Sequence, residues 1–113
     1  MLDKRKFYIN GKWVDPINAN DFKVINPSNE ESFALISLGS AEDTNLAVKS
    51  ARNSFHSWSQ TSKNERISLL EKLYEIYKSK WDDMSELISK EMGAPIDWST
   101  EQQTQTGAGH IKA

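Results

Sequence analysis

The side chains that could carry chemistry in this sequence are few, and cysteine is absent from it. Without cysteine these residues offer no thiol nucleophile, no thiolate metal ligand and no disulfide. The two histidines, His56 and His110, each lack a second ligand at metal-binding spacing. We therefore expect both histidines to be structural or solvated, and not to bind a metal or act as a base.

Two other patterns resemble functional sites without meeting their requirements. The acidic doublets Glu30-Glu31 and Asp82-Asp83 could suggest an acid–base pair. Neighbouring residues of a helix point in different directions, however, so capping and solvation explain the doublets better. Gly107-Ala108-Gly109 begins like the G-x-G-x-x-G phosphate loop, but Lys112 occupies the third glycine position and no strand precedes it. The glycines therefore predict a closely packed helix face.

The charge distribution argues against a nucleic-acid partner. The formal net charge is −2, and lysines and arginines are scattered among acidic residues instead of forming a stripe. The aromatic residues lie at helical spacing without a basic groove beside them, which predicts buried packing instead of base stacking. These aromatic residues are Trp58, Trp81, Trp98, Tyr74 and Tyr77.

No membrane segment is expected from this sequence. The longest uninterrupted apolar run covers residues 33–36 and is far too short to cross a bilayer. A basic cluster near the N-terminus is followed by polar and turn residues where a signal peptide needs an apolar stretch. We therefore expect a cytoplasmic protein.

The elements that position these residues begin with β-strands. Asn10-Gly11 separates two short alternating apolar runs over residues 7–14, which predicts a hairpin because both turn residues tolerate positive φ. A second extended segment over residues 22–25 stops at Asn26-Pro27 and is followed by a turn with proline at its second position. A strand over residues 33–38 is predicted to pair with residues 22–25.

Helices are predicted after residue 40. Ser40 is a favourable N-cap, and Ser62 with Glu65 forms a capping-box pattern before a long apolar stripe. Two interpretations of the stripe remain open, an ordinary pair of core-facing helices and a self-associating coiled coil. A break near residues 80–83, with Asp82 as a cap, is predicted. The stripe contains Ile67, Leu70, Tyr74, Tyr77, Trp81, Met84 and Ile88.

The end of the chain differs in composition from the long helices. Gly93 is predicted to end the preceding helix in a left-handed cap, with Pro95 two residues later. A last helix is predicted to begin at Asp97 or Ser99 and to run toward Ala113 without a stop signal. This pattern is typical of a truncated chain.

Several short motifs follow the hairpin in order along the chain. They are Ile25-Asn26-Pro27, Ser40-Ala41-Glu42-Asp43, Phe55-x-x-Trp58, Glu65-Arg66 and Glu91-Met92-Gly93-Ala94-Pro95. Their order and spacing resemble the opening of the NAD(P)-dependent aldehyde dehydrogenases. Glu30 stands where that family usually has glycine, so either the turn differs or Asn29 takes the positive-φ position. Ala94 stands where lysine is common.

The resemblance implies an α/β fold in which this chain is the incomplete opening of a dinucleotide-binding domain. Residues 1–39 would form its β-hairpin and short strands, and residues 40–113 its helices. The family oxidises aldehydes to carboxylates with NAD or NADP, through a cysteine, a glutamate base and an oxyanion-hole asparagine. These residues and the cofactor-binding glycines lie later in family members, so no catalytic or cofactor-binding residue is assigned here. The implied partners are the rest of the subunit, an aldehyde and further copies in a homodimer or homotetramer.

One metal site is also implied by the resemblance. Some family members bind Na⁺ or K⁺ through backbone carbonyls just before the Asn-Pro turn and through an aspartate on the helix after the Gly-x-Pro segment. The corresponding positions here are Val24, Ile25 and Gln103. Gln103 replaces the carboxylate with a neutral amide, whose oxygen coordinates a hard cation more weakly.

Two alternatives to a simple aldehyde dehydrogenase remain open from the sequence. Members of the same superfamily that form acyl-CoA or act on semialdehydes share this kind of opening. A stand-alone helical interaction module without enzyme activity would use its apolar stripe to bind a partner. Such a module would fold cooperatively alone, whereas a lone hairpin with uncovered helices would not.

Overall fold

The computed structural model describes all 113 residues and divides them into two compact units. The first unit contains Met1–Ile25 and Glu31–Gln60, and the second contains Asn26–Glu30 and Thr61–Ala113. All five strands lie before residue 40 and all helices after it. The predicted α/β fold is confirmed. The predicted domain boundaries of 1–39 and 40–113 remain a prediction, since the compact units follow a different division.

The first unit contains two small sheets. The predicted hairpin is confirmed by β2 (Phe7–Ile9) and β3 (Lys12–Val14), which pair antiparallel. In the second sheet β5 (Glu31–Ser37) lies between β1 (Leu2–Lys4) and β4 (Asp21–Asn26), which confirms the predicted pairing of β4 with β5. The parallel pairing of β1 with β5 was not predicted.

Helix α1 (Ala41–Ser59) begins at the predicted cap. Ser40 Oγ accepts the backbone N–H of Asp43, and the Asp43 carboxylate accepts the backbone N–H of Ser40, which closes a capping box. The reciprocal pair satisfies two backbone donors that the first helical turn would otherwise leave unpaired.

The turn after β4 adopts a conformation that the sequence did not predict. Asn26 carbonyl accepts hydrogen bonds from the backbone N–H groups of Asn29 and Glu30, at 3.3 and 2.8 Å. Pro27 thus occupies the expected second position of a turn. The residue with positive φ is Glu30 itself, at 59°, and not Asn29. The expectation for Asn29 was therefore wrong, and a glutamate occupies the left-handed conformation that glycine favours.

The second unit contains the remaining helices. Helix α2 (Lys63–Ser79) starts with the predicted Ser62–Glu65 capping box, and α3 (Trp81–Met92) follows after a break at Lys80. The predicted break is confirmed, but the predicted cap is wrong because Lys80 precedes α3 and Asp82 lies inside its first turn. The break also interrupts the continuous helix that a coiled coil over residues 67–88 would need.

Helix α3 ends as predicted, but the last helical segment begins differently. Gly93 has a φ of 75° and caps α3 in the left-handed conformation. The next segment starts after Pro95 with the single turn α4 (Ile96–Trp98), so a start at Asp97 or Ser99 is wrong. A π-helix over Ser99–Gln103 then leads into α5 (Thr104–Lys112).

Little apolar surface is buried within this chain. The buried hydrophobic residues are Ile9, Ala34 and Ala108, whereas α2 buries none of its residues. Trp58 and Trp98 are about half exposed, so the predicted burial of these two side chains is wrong for this chain. Along the predicted stripe the burial is mixed. Ile67, Leu70 and Met84 are exposed, whereas Tyr74, Tyr77, Trp81 and Ile88 are partly buried. None of the helices combines the length and apolar character needed to cross a membrane.

Candidate functional site

The three predicted cation ligands fall in different units of the chain. Val24 and Ile25 lie on β4 in the first unit, and Gln103 ends the π-helix in the second. The Gln103 amide oxygen accepts the Ser99 hydroxyl at 3.3 Å, and its amide nitrogen donates to the Met92 sulfur at 2.9 Å. One oxygen of the right type is therefore present at Gln103, and the cation site remains a prediction.

The glycine pair of α5 does not form a phosphate loop. Gly107 and Gly109 lie inside a helix that follows a π-helix, whereas a dinucleotide loop joins a strand to a helix. A Cβ at position 107 would overlap the Tyr77 phenol oxygen and lie 2.9 Å from Tyr77 Cζ. The space beside Gly107 is therefore occupied by the Tyr77 side chain and does not accommodate a phosphate. These residues do not fit the dinucleotide that the family implies.

A group of buried and partly buried hydroxyls, here called the polar cluster, connects α2, α3 and α5. It consists of Tyr77, Ser85 and Thr104. Tyr77 Oη donates to the Thr104 carbonyl at 3.0 Å, and the hydroxyls of Ser85 and Thr104 lie 2.8 Å apart. Ser85 Oγ also donates to the Trp81 carbonyl at 2.9 Å. Since Ser85 uses its proton there, the Thr104 hydroxyl is the donor to Ser85.

The polar cluster has the hydrogen bonding of a structural element and not of a catalytic one. Activation of a hydroxyl nucleophile requires a base within hydrogen-bond reach, and no base contacts Ser85 or Thr104. No group of three or more histidine, aspartate or glutamate side chains is placed to bind a metal. Every buried side-chain polar atom has a partner. The cluster therefore fixes the helices relative to one another.

The sequence interpretation did not identify this cluster. Tyr77 belonged to the predicted apolar stripe, and the close-packed face predicted for α5 is consistent with Gly107. Ser85 and Thr104 are both fully buried, yet isolated serine and threonine residues on a helix are usually exposed. The sequence contains one indication of this close packing: the small residues Thr104 and Ala108 lie four positions apart and therefore share one helix face.

The buried carboxylate of the first unit is that of Asp43. It is buried and accepts the backbone N–H groups of Ile17 and Ser40, each at 2.9 Å, and the Ser40 hydroxyl at 2.7 Å. These donors, the Ile17 amide first, lower the pKa of Asp43 below its ordinary value. These hydrogen bonds join the loop at residue 17 to α1. Because they also stabilise the charged form, the Asp43 carboxylate is a poor proton acceptor.

The remaining sequence candidates are found at exposed positions. His56 and His110 are exposed in the last turns of α1 and α5. Asp82 and Asp83 lie in the first turn of α3, where negative charge is favourable, and Asp83 pairs with Lys80 at 3.4 Å. Neither pattern forms a site with a second catalytic group.

An apolar groove runs between α2 and α5 in the second unit. Its volume is about 740 Å³. Ile67, Leu70 and Tyr74 contribute from α2, and Ile111 contributes from α5, with charged residues along the margin. The lining contains no group positioned for bond-making chemistry, so the groove can accommodate apolar side chains.

The comparison with known proteins agrees with the sequence resemblance. The sequence model of the aldehyde dehydrogenase family matches residues 13–113. A 3-succinoylsemialdehyde-pyridine dehydrogenase from Pseudomonas is 45% identical over 112 residues, which is 98% of this chain and 24% of that protein.

Solved structures give the same result. An aldehyde dehydrogenase from Bartonella henselae is 51% identical and superimposes with a TM-score of 0.96 over 99% of this chain and 24% of its own. Aldehyde dehydrogenase C from Pseudomonas syringae, in complex with NAD⁺ and octanal, is 35% identical with a TM-score of 0.93. It is matched over 96% of this chain and 22% of its own. The chain thus spans about a quarter of the length of its relatives, and it belongs to the aldehyde dehydrogenase family.

Proposed function

We propose that this chain forms the N-terminal part of an NAD(P)-dependent aldehyde dehydrogenase subunit, which oxidises an aldehyde to a carboxylate. The observation that carries the proposal is the family match over residues 13–113 with only about a quarter of each relative covered. The catalytic groups would come from the rest of the subunit, because this chain contains no cysteine and no activated hydroxyl.

The exposed face of α2 supports a packing role against the rest of that subunit. Leu69, Leu70, Leu73 and Ile76 are between 48% and 53% exposed. Exposed apolar surface of this extent on a helix usually marks an interface. The proposed occupant is the remaining three quarters of the same subunit, whose presence in the relatives is the reason for preferring it to an unrelated partner.

The residues of this chain would act as a scaffold and not as reactants. The two capping boxes, at Ser40 and Ser62, fix where α1 and α2 begin. The polar cluster holds α2, α3 and α5 together. NAD⁺ is bound by the Pseudomonas syringae relative, and we propose NAD or NADP as the cofactor of the whole enzyme. When bound, the nicotinamide would accept the hydride from the substrate.

A semialdehyde is the second candidate for the substrate. The observation that favours it is the 45% identity to a dehydrogenase named for a succinoylsemialdehyde-pyridine substrate. The family resemblance implies that the residues that distinguish these substrates lie in the rest of the subunit. The general aldehyde oxidation therefore remains the primary proposal, and the semialdehyde a narrower form of it.

Three further parts complete the proposal, of which the cation site and the oligomeric state rest on the family resemblance. A Na⁺ or K⁺ ion would be bound by the carbonyls of Val24 and Ile25 and, more weakly than by a carboxylate, by the amide oxygen of Gln103. The subunits would associate as a homodimer or homotetramer. The enzyme would be cytoplasmic.

The first experiment is an intact-mass measurement of the native polypeptide that carries this N-terminus. A mass about four times 12.9 kDa, with aldehyde-dependent formation of NADH or NADPH by the purified protein, is the expected result. A pyridine-bearing semialdehyde and octanal assayed side by side would separate the two substrate proposals. A native mass near 12.9 kDa with no such activity would contradict the proposal and favour the stand-alone module.

A further inference from the structure

We propose that Asn10 is a site of spontaneous deamidation and that the β2–β3 turn restrains the reaction. Asn10 is the only asparagine in the sequence that is followed by glycine. Deamidation begins when the backbone nitrogen of the next residue attacks the asparagine side-chain carbon. Glycine allows this attack most readily because it has no side chain to hinder the approach.

The reaction balances without any oxidant or reductant. A bond forms between the Gly11 nitrogen and Asn10 Cγ, the bond from Cγ to Nδ2 breaks, and ammonia leaves with the amide proton. Water then opens the cyclic imide at either carbonyl, which gives aspartate or isoaspartate. Both products carry one additional negative charge, and isoaspartate inserts an extra backbone carbon into the turn.

The surroundings of the turn leave the reacting groups accessible to water. Asn10 and Gly11 are both exposed. A Cβ at Gly11 would meet nothing within 4 Å. Both residues of the turn are therefore accessible to the solvent.

The conformation of the turn opposes the attack. Asn10 has a φ of 54° and Gly11 a φ of 73°, so both occupy the left-handed region. In that region ψ is about +47°, which places the nitrogen of the next residue on the far side of the backbone from the side chain. The Gly11 nitrogen reaches Asn10 Cγ only after the peptide between them has rotated by roughly half a turn.

The strands on either side resist that rotation. Ile9 pairs with Lys12 directly across the turn, and the Tyr8 and Trp13 rings lie 5.2 Å apart on the next pair. Ile9 is also one of the few buried hydrophobic residues. The hairpin must therefore open before Asn10 reacts, and its opening sets the rate of the modification.

The test compares the purified protein in mildly alkaline buffer with and without denaturant, by peptide mass mapping over time. In denaturant, Asn10 is expected to gain one mass unit before any other asparagine does. In native buffer the rate is expected to be at least tenfold lower, in proportion to the hydrogen-exchange protection of the Ile9 and Lys12 amides. Equal native and denatured rates, or another asparagine reacting first in denaturant, would overturn the proposal.

A pair of variants tests the hairpin as the restraint. Ile9→Ala removes the buried anchor and is expected to raise the native rate at Asn10 several-fold. Val48→Ala, at an exposed position of α1, is the matched control and is expected to leave the rate unchanged. Circular dichroism shows whether the variants remain folded, and the wild-type comparison stands even if Ile9→Ala unfolds. An unchanged native rate in folded Ile9→Ala would refute the restraint.

Discussion

Replacement of Gly107 by alanine tests the packing of α5 against Tyr77. The new methyl group would overlap the phenol oxygen and approach Tyr77 Cζ to 2.9 Å, which is closer than real Cβ contacts come. Because α5 follows the π-helix directly and Thr104 is fully buried, α5 cannot shift without disturbing the polar cluster. Tyr77 must therefore move, and its 3.0 Å hydrogen bond to the Thr104 carbonyl would be lost.

The expected change in the free energy of unfolding has three contributions. Overpacking in a closely packed contact costs about 1–3 kcal/mol. Loss of the hydrogen bond costs about 1 kcal/mol. The better helix propensity of alanine returns about 1 kcal/mol. Gly107→Ala is therefore expected to destabilise the protein by about 1–3 kcal/mol.

Gly109→Ala is the matched control on the same helix. A Cβ at Gly109 meets nothing within 4 Å, so the propensity gain of up to about 1 kcal/mol is unopposed. Denaturant unfolding of the purified protein, followed by circular dichroism, measures both variants. In a Tyr77→Phe background the penalty at position 107 should shrink without vanishing, because the ring carbon remains. If Gly107→Ala were as stable as Gly109→Ala, the close packing of Tyr77 would be refuted.

Three further predictions concern backbone strain and charge. Glu30→Gly should raise the free energy of unfolding by about 0.5–1 kcal/mol, since it relieves the left-handed glutamate at some entropic cost; a loss of stability in thermal unfolding would contradict this. Gly93→Ala should cost about 1–3 kcal/mol in the same assay, because φ is 75° and the new Cβ would lie 2.8 Å from Pro27 Cγ. The lowered pKa of Asp43 should stabilise the protein above pH about 4 and lose that effect as pH falls further. Asp43→Asn should flatten this acid limb in a pH series of melting temperatures, and an unchanged limb would exclude Asp43 as its source.

The elements that could be predicted from sequence are those specified by neighbouring residues. The Asn10-Gly11 turn, the two capping boxes and the Gly93 cap each depend on residue types within a few positions. The break at Lys80 is of the same kind. Local hydrogen bonding and φ preference determine these features, so the sequence pattern is sufficient.

The features that could not be predicted depend on distant contacts. Residues 2–4 are mostly polar and give no strand pattern, and their strand exists because β5 offers an edge for pairing. The left-handed Glu30 follows from the closure of the turn by the Asn26 carbonyl. Burial of Ser85 and Thr104 follows from the meeting of α3 with α5. The cation ligands stay a prediction from the family resemblance, since coordination by backbone carbonyls leaves no trace in residue type.

The π-helix at Ser99–Gln103 has a consequence for how the length of this segment can vary. Each π-type hydrogen bond spans five residues where an α-type bond spans four, so the segment holds one residue more than a regular helix requires. Removing one of these residues would convert the segment to α-helix and leave Thr104 and Gly107 directed toward Tyr77. The same deletion inside α5 would rotate the following residues by about 100°. The loss of one residue is thus tolerated within Ser99–Gln103, before Thr104, and is not tolerated within α5, after it.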